Sequence, residues 1–364
     1  MTENQEYMWM KYAVKLAEKG RYSCSPNPMV GAVIISNGKI IGEGYHRKTG
    51  EPHAEINAIK SANGNTGNAS LFVTLEPCST HGRTPPCTKA IIKAGIKKVI
   101  IGAIDPNPAH AGKAIDILKG AGIEVKVLND SVCQKINEKF NMFISTGFPF
   151  IHAKWAMTLD GKIATRTGSS KWISCNKSRE IVHKLRAEYD AIMTGSGTVL
   201  KDDPQLNVRL EGKWRQPVKI IIDSLCQTPA EAKILKRGAE TIIACGKNAP
   251  VERIQLIENA GAKIIQGDTG QNGKIILPEL FKKLAAENIS SIFVEGGSSL
   301  LGALFDNHLI NKVTVFISPK IIGGEKSLSP IGGTGIDQIT DALKLADLHI
   351  EQIENDIMLT GKIT

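Results

Sequence analysis

The chain has 364 residues, of which 42% are hydrophobic and 22% are charged, and its formal net charge is +9. This length predicts about two domains, and the balanced composition excludes a chain that is mainly disordered or fibrous. The basic residues are dispersed, with pairs such as Lys97-Lys98 as the longest clusters. Because nucleic-acid tails carry blocks of about five or more like charges, we expect no nucleic-acid partner.

The amino-terminal segment is polar and acidic, and no stretch of the chain reaches the roughly 18 consecutive apolar residues of a membrane span. We therefore expect a cytoplasmic protein without a membrane contact. The seven cysteines are an odd number in a long chain. This number argues against a disulfide framework and for reduced thiols.

The first half of the chain begins with a predicted amphipathic helix over residues 7–20, and two apolar strands follow it, Val30–Ile35 and Ile40–Tyr45. Asn37-Gly38 lies between the strands, and Asn-Gly between apolar runs is a strong hairpin signal. Helices and strands then alternate, which predicts a three-layer α/β sandwich of about 145 residues. These further elements are a helix from near Pro52, a strand Leu71–Thr74, a helix Pro86–Ala94, a strand Lys98–Ala103, a helix Gly112–Gly120, a strand Glu124–Val127 and a helix Val132–Phe143.

The helical pattern stops at Ser145–Pro149, so we expect one domain at residues 1–148 and a second at residues 149–364. The second domain again alternates strands and helices. Its predicted strands are Phe150–Met157, Ala191–Thr194, Lys219–Ile222, Thr241–Ala244, Ser291–Val294, Lys312–Ile317 and Ile357–Ile363. Its predicted helices are Lys177–Glu188, Pro250–Ala260, Pro278–Glu287 and Leu300–Asn307.

A candidate zinc site is indicated by His53, Cys78 and Cys87, because each cysteine follows a proline in a polar loop where packing is a poor explanation. One imidazole and two thiolates suit a catalytic zinc that keeps a fourth position for water. A helix dipole at Cys87 is expected to stabilise its thiolate. Glu55, two residues after His53, is long enough to reach the open position and act as general acid and base. His-x-Glu with Pro-Cys is the signature of zinc-dependent nucleobase deaminases.

Two other interpretations of these residues stay open at this point. A structural zinc site would need a fourth ligand, for which His81 and Cys24 are the candidates. Alternatively, His53 and both cysteines would be core residues that bind no metal. The presence of Glu55 favours the catalytic interpretation, because a structural site needs no proton shuttle.

The motifs together resemble those of the bifunctional riboflavin-biosynthesis deaminase-reductase family. The resemblance rests on the loop Cys78–Cys87, on Pro26–Gly31, on Asp105–Pro108, on Thr158–Lys162 and on Glu295–Gly297, and it spans nearly the whole chain in order. It implies an N-terminal cytidine-deaminase-like α/β/α domain followed by a dihydrofolate-reductase-like α/β domain. One departure is Thr80, where the family often has a histidine.

The resemblance also implies two reactions. The first domain would remove an amino group from 2,5-diamino-6-ribosylamino-4(3H)-pyrimidinone 5′-phosphate with one catalytic zinc. The second would reduce the ribosyl group of 5-amino-6-(5-phosphoribosylamino)uracil to ribityl with NADPH. Zinc would be held by His53, Cys78 and Cys87, with Glu55 as the proton carrier. The deaminase substrate would be bound by Asn27, His46, His81, Arg83, Asp105 and Asn107.

For the second domain the resemblance implies a catalytic Lys154. The reductase substrate would be bound by Ser170, Arg186, Leu206, Arg209 and Glu295. NADPH would be bound by Ala156, Trp172, Thr198, Asp202, Ser224, Gly296, Gly297 and Ser298.

The residues of the second domain carry weaker signals of their own. Gly195-Ser196-Gly197 supplies only part of a dinucleotide-binding glycine motif, whereas Glu295–Ser299 places glycines between a strand and a helix, where a phosphate could bind. Arg186 and Arg209 suit a sugar phosphate, because a guanidinium can donate two parallel hydrogen bonds, although either could be an ordinary solvated arginine. Lys154 lies in an apolar strand, where burial would lower its pKa unless the side chain extends to the surface.

Two further classes of function remain as alternatives. A deaminase acting on nucleic acid would share the zinc motif but needs a basic surface with stacking aromatic side chains, and only 5% of the residues are aromatic. A zinc module without catalysis could bind a nucleotide as a regulator. We expect small-molecule substrates and a homo-oligomer.

Overall fold

The computed structural model describes residues 2–80, 85–108, 110–236 and 238–364. The chain divides into two compact units, Met1–Gly147 and Phe148–Thr364. Each unit is described by itself below.

Unit 1 alternates helices and strands. Its helices are α1 (Glu3–Glu18), α2 (Ala54–Ser61), α3 (Cys87–Lys93), α4 (Lys113–Gly120), α5 (Ser131–Lys135) and α6 (Glu138–Thr146). Its strands are β1 (Gly31–Ser36), β2 (Lys39–Tyr45), β3 (Ser70–Leu75), β4 (Lys98–Ala103) and β5 (Glu124–Val127).

The five strands form one sheet in the order β2-β1-β3-β4-β5, in which β1 is antiparallel to both neighbours and β3, β4 and β5 are parallel. Alternate strand residues face opposite sides: Leu71 and Val73 pack with α2, α3 and α4, while Phe72 packs with α1 and α5. Both faces of the sheet are therefore covered, and the three-layer sandwich predicted from the sequence is confirmed.

Individual residues determine how these helices and strands turn and how closely they pack. Asn37 and Gly38 both have positive φ and connect β1 to β2 in the predicted hairpin. Gly31 allows α1 to lie directly on β1, because a Cβ there would be 2.0 Å from the carbonyl oxygen of Ala13. Only glycine leaves room for this contact.

The predicted single helix Val132–Phe143 is wrong, because two helices, α5 and α6, occupy this region. The break lies at Asn137, whose side chain is buried. Its Oδ1 accepts a hydrogen bond from the Met29 N–H at 2.7 Å, and its Nδ2 donates to the Met29 carbonyl at 2.9 Å. These hydrogen bonds to a distant residue interrupt a helix that the local pattern of apolar residues predicts to be continuous.

Unit 2 has nine strands and five helices in the described residues. The strands are β6 (Phe150–Thr158), β7 (Ala191–Gly195), β8 (Val218–Ile222), β9 (Thr241–Gly246), β10 (Lys263–Gly267), β11 (Ser291–Val294), β12 (Lys312–Ser318), β13 (Leu345–Ile353) and β14 (Asp356–Ile363). The helices are α7 (Asn176–Ala187), α8 (Ser196–Asp202), α9 (Val251–Asn259), α10 (Leu277–Ala286) and α11 (Ser298–Asp306).

The strands form one sheet in the order β10-β9-β8-β7-β11-β6-β12-β14-β13. The first seven are parallel, and β14 and β13 add an antiparallel edge. Helices α10 and α11 pack on one face of the sheet, and α8 and α9 pack on the other. Because both faces are covered, the central strands are almost completely buried.

The sequence prediction missed α8, β10 and β13. Strand β13 is exposed along nearly its whole length, so it lacks the burial pattern that reveals a strand. Among the described residues, no helix has the length and apolar character needed to cross a membrane.

Candidate active sites

The three predicted zinc ligands come together in unit 1. The Nδ1 atom of His53 lies 3.5 Å from the Sγ of Cys78 and 3.3 Å from the Sγ of Cys87. All three ligand atoms lie within 4.8 Å of one another. A tetrahedral zinc with its usual bond lengths holds a nitrogen and a sulfur ligand about 3.6 Å apart. The trio therefore fits a zinc ion.

The loop geometry favours a thiolate at Cys78. Cys87 is the first residue of α3, and its backbone N–H donates to the Sγ of Cys78 at 3.3 Å. A hydrogen bond from the Cys87 thiol, together with His53, lowers the pKa of Cys78 to about 4, whereas the same contact and burial raise the pKa of Cys87. The first N–H of α3 therefore donates to the Sγ of Cys78 and not to the thiol of Cys87, where the sequence led us to expect the effect of the helix dipole.

Glu55 lies in the first turn of α2. This helix begins at Ala54, two residues after Pro52, and His53 is its N-cap residue with extended backbone. Because His53 is outside the helix, the two side chains need not diverge as i and i+2 residues of a helix would. Glu55 is only 3% exposed, and burial raises the pKa of its carboxyl group.

A cavity of about 230 Å³ opens beside this trio. Its wall contains His53, Glu55 and Cys78, and also the predicted substrate ligands Asn27, His46, Asp105 and Asn107. His81 and Arg83 lie outside the described residues. Cys24 packs with Ala17 and Met29 in a separate apolar cluster, so it does not serve as a fourth ligand.

His46 and Asn27 form a fixed polar pair in the cavity wall. The Nε2 of His46 is 3.0 Å from the Nδ2 of Asn27, and its Nδ1 is 3.4 Å from the Pro52 carbonyl oxygen. Burial lowers the pKa of His46. These contacts suit a neutral imidazole that donates from Nδ1 to Pro52 and accepts from the Asn27 amide, which leaves the Asn27 oxygen for a ligand.

The cavity wall also contains residues that the sequence did not point to, among them Glu76, His110 and Phe140. Glu76 is buried, and its carboxylate accepts only from backbone N–H groups among the contacts seen in the described chain. The Nδ1 of His110 is buried without a hydrogen-bond partner there. Only one feature of the sequence could have pointed to Glu76, which is its position directly before the Pro-Cys motif.

In unit 2, Lys154, Arg186 and Glu295 form a buried charge cluster. The Arg186 Nε donates to Oε1 of Glu295 at 2.5 Å and its Nη2 donates to Oε2 at 3.0 Å, while the Lys154 Nζ lies 3.4 Å from Oε2. Despite burial, the two cations hold the pKa of Glu295 at about 2. The two parallel hydrogen bonds that Arg186 was expected to offer a phosphate go to this carboxylate instead.

The strand register explains the meeting of Lys154 and Glu295. Ala153 of β6 pairs with Val294, the last residue of β11, so Lys154 and Glu295, which come next in the chain, lie at the same level. Burial lowers the pKa of Lys154, whose side chain is 16% exposed, and the charge of Glu295 opposes this shift. The prediction of a buried lysine with a lowered pKa agrees with this placement.

Arg209 lies beside this cluster. Its backbone N–H donates to the Nδ1 of His183 at 3.3 Å, and its Nη1 donates to the Asn207 side chain at 2.6 Å. Arg186 in turn donates to the Asn207 carbonyl at 2.9 Å. The loop that carries Arg209 and the buried Leu206 is therefore attached to α7.

The predicted NADPH residues gather at the carboxyl ends of neighbouring parallel strands. Thr198 follows β7, Ser224 follows β8, and Gly296 and Gly297 follow β11, with Ser298 as the first residue of α11; Ala156 lies near the end of β6. A Cβ on Gly297 would be 3.4 Å from the Thr198 hydroxyl. In parallel α/β sheets ligands bind at this edge, and a helix start next to glycine suits a phosphate.

Three other predicted residues lie in exposed or half-buried segments. Trp172 is 65% exposed, and the Arg179 guanidinium lies 4.4 Å from its ring centre. Its carbonyl accepts a hydrogen bond from the Lys320 Nζ at 2.7 Å. Asp202 is the last residue of α8, and Ser170 precedes Trp172 by two positions.

Two family models match the chain. The "Cytidine and deoxycytidylate deaminase zinc-binding region" matches residues 2–103, and the "RibD C-terminal domain" matches residues 149–359. The "Riboflavin biosynthesis protein RibD" of Aquifex aeolicus is 43% identical over 356 residues, which cover 97% of each chain. The chain belongs to the RibD family. The RibD of Escherichia coli is 37% identical over 369 residues, which cover 98% of each chain.

Solved RibD structures have the same fold. The Acinetobacter baumannii RibD (form 1) is 35% identical with a TM-score of 0.88, and a Thermotoga maritima protein is 34% identical with a TM-score of 0.87; each comparison covers 99% of both chains. The latter is named diaminohydroxyphosphoribosylaminopyrimidine deaminase/5-amino-6-(5-phosphoribosylamino)uracil reductase. The expected family and fold class are confirmed, and RibD's zinc-binding deaminase region and NADPH-type reductase domain are both present.

Proposed function

We propose that this chain catalyses both reactions named for the Thermotoga maritima protein, the first in unit 1 and the second in unit 2. The hydrolytic step would convert 2,5-diamino-6-ribosylamino-4(3H)-pyrimidinone 5′-phosphate and water to 5-amino-6-(5-phosphoribosylamino)uracil and ammonia. The second step would reduce the ribosyl group of that product to ribityl. The main support for the proposal is that His53, Cys78 and Cys87 lie close together, and that the buried Glu55 lines the same cavity.

In unit 1, His53, Cys78 and Cys87 would hold zinc. When bound, zinc supplies a Lewis acid that makes water a nucleophile at neutral pH. Glu55 would accept a proton from the attacking water and deliver it to the departing amine. Its burial supports this role, because burial raises the pKa of the carboxyl group and so makes the carboxylate a better proton acceptor.

The polar residues of the same cavity would hold the pyrimidine and its ribosyl phosphate. Asn27 and His46 offer a preset amide and imidazole pair. Asp105 and Asn107 belong to another segment of the wall, where the Asn107 N–H donates to the Asp105 carboxylate at 2.9 Å. We extend the same role to His81 and Arg83 on the basis of the sequence motif.

In unit 2, Lys154 would donate a proton from Nζ to the carbonyl oxygen of the ring-opened ribose. Its lowered pKa supports this role, since a less basic ammonium is a stronger acid. Glu295 would orient Lys154 and contact the substrate, and Arg209 would bind its phosphate. Arg186, Leu206 and Ser170 complete the proposed substrate site, with Arg186 acting mainly through its pairing with Glu295.

NADPH supplies the hydride when it is bound. Its phosphates would lie at the start of α11, against Gly296, Gly297 and Ser298, and its other contacts would be Ala156, Trp172, Thr198, Asp202 and Ser224. The shared strand edge and the absence of a side chain at Gly297 support this placement.

We further propose a homo-oligomer in the cytoplasm. Strand β13 is an exposed sheet edge with apolar Leu348 and Ile350 at its surface, and such edges are normally covered. A second copy of the chain would cover it, and a monomeric mass by light scattering would refute this. The thiolates of Cys78 and Cys87 need a compartment that keeps cysteines reduced.

The direct experiment supplies the diaminopyrimidine ribosyl phosphate to zinc-loaded protein with NADPH. Ammonia release and the loss of NADPH absorbance are measured in the same reaction, and we expect one equivalent of each. Protein that releases no ammonia while it oxidises NADPH with the uracil substrate would refute the deaminase assignment alone. The reverse result would refute the reductase assignment.

A further inference from the structure

Glu76 connects two sides of the unit 1 cavity. It directly follows β3 and lies two residues before Cys78, and its backbone N–H donates to the Ala103 carbonyl oxygen at 2.9 Å. This bond continues the pairing of β3 with β4 past the end of β3. The backbone of Glu76 therefore determines where the Pro77-Cys78 segment leaves the sheet.

The side chain of Glu76 points to a different segment, the connection from β4 to α4. Its Oε2 accepts from the N–H groups of Asp105 at 3.3 Å and Gly112 at 3.0 Å, and its Oε1 accepts from the N–H of Ala114 at 3.1 Å. The three donors lie at the beginning and end of residues 105–114. One carboxylate thus closes the loop that carries Asp105 and Asn107.

These contacts also replace a missing helix cap. Gly112 is the N-cap residue of α4 and has no side chain to accept the free N–H groups of the first turn. Glu76 accepts two of them, at Gly112 and Ala114, and its negative charge lies at the positive end of the helix. Since Glu76 is only 4% exposed, water cannot easily take over these bonds.

We propose that Glu76 is a positioning residue for the deaminase site, which holds Asp105 and Asn107 in place relative to the metal ligand Cys78. This inference rests on the function proposed for unit 1. Glu76 acts through the 105–114 segment. Loss of its carboxylate should therefore weaken substrate binding more than it slows the chemical step.

The test compares Glu76→Gln with Glu6→Gln in the full chain. Glutamine keeps the shape of Glu76 but has only one acceptor oxygen. Its NH₂ group would face a backbone N–H, and two donors cannot form a hydrogen bond with each other. Glu6 is the matched control, because it is a 3% exposed carboxylate of the same unit that pairs with Lys98 and Lys126 and does not line the cavity. Glu76→Asp is a second variant, which keeps the charge on a shorter side chain.

The first measurement is hydrogen exchange of residues 104–118 by mass spectrometry, which needs no activity. We expect exchange to become about tenfold faster or more in Glu76→Gln, an intermediate effect in Glu76→Asp and no change in Glu6→Gln, because local opening follows the lost bonds. Unchanged exchange in both Glu76 variants would overturn the proposal. If Glu76→Gln does not fold, Glu76→Asp decides the result.

The second measurement is deaminase kinetics together with zinc content and reductase rate. For Glu76→Gln we expect KM to rise about tenfold, equal to about 1.4 kcal/mol, with kcat changed less than about threefold and zinc and reductase activity retained. An unchanged KM, or an equal rise in Glu6→Gln, would overturn the positioning role. If the wild-type protein releases no ammonia, the proposed function fails, and the exchange measurement still decides whether Glu76 holds the segment.

Discussion

We predict how much the buried ion pair of Glu295 and Arg186 contributes to the free energy of unfolding of unit 2. The perturbation is Glu295→Gln, which leaves Arg186 and Lys154 buried without their negative partner. The pKa of Glu295 falls from its ordinary value of 4.5 to about 2 in the folded chain. This difference corresponds to about 3 kcal/mol of stability at neutral pH, which is also the usual cost of breaking a buried ion pair.

The pH dependence has a defined sign. A carboxyl group with a lowered folded pKa stabilises the fold fully above its unfolded pKa, and this contribution is lost as the pH falls toward the folded value. For Glu295 the window therefore runs from pH 4.5 down to about 2. At about pH 3.5, roughly 1.4 kcal/mol of the contribution is gone. The difference between wild type and Glu295→Gln should shrink by this amount between pH 7 and pH 3.5.

The assay is urea unfolding of the full chain in a Trp9→Phe background. The three remaining tryptophans, at positions 155, 172 and 214, all belong to unit 2, so their fluorescence reports its unfolding. Glu325→Gln removes an exposed carboxylate of the same unit and serves as the control. Equal stability of wild type and Glu295→Gln at pH 7, or a difference that does not change at pH 3.5, would refute the reasoning.

Three further predictions follow from single contacts. His183 should titrate with a midpoint near pH 4 in NMR, because burial and the charges of Arg186 and Arg209 lower its pKa; a midpoint near 6.5 would contradict this. Cys78→Ser should lose most of its zinc by metal analysis but keep the reductase rate, and full zinc retention would exclude Cys78 as a ligand. Gly31→Ala should destabilise unit 1 by about 1–3 kcal/mol, since the new Cβ meets α1. The measurement is urea unfolding followed by the part of the fluorescence that Trp9→Phe removes, and unchanged stability would contradict the close contact.

Local sequence patterns predicted the features that depend on neighbouring residues. The Asn37-Gly38 hairpin and most strands follow from turn chemistry and apolar runs. The zinc trio was predictable because its residue types are rare in polar loops. Glu55 was recognised by its spacing from His53, and the N-cap position of His53 explains why this spacing works.

Features that depend on distant residues were not predictable. The break at Asn137 comes from its bonds to Met29, which lies 108 positions earlier. From the sequence alone, Arg186 could not be distinguished from an arginine that binds a phosphate. The packing of strands and helices brings its guanidinium to Glu295, which is 109 positions away in the chain. The contacts of Glu76 to the 105–114 segment likewise exist only once β3 and β4 are paired.

The most direct test of the account is ammonia release by Glu55→Gln compared with wild type, with zinc content and NADPH-dependent reduction measured on the same samples. Glutamine cannot carry the proton, so we expect ammonia release to fall by a factor of about 10²–10⁴ while one zinc per chain and the reductase rate are retained. A Glu55→Gln protein that releases ammonia at the wild-type rate would contradict the proposed role of Glu55 and the catalytic assignment of the cavity.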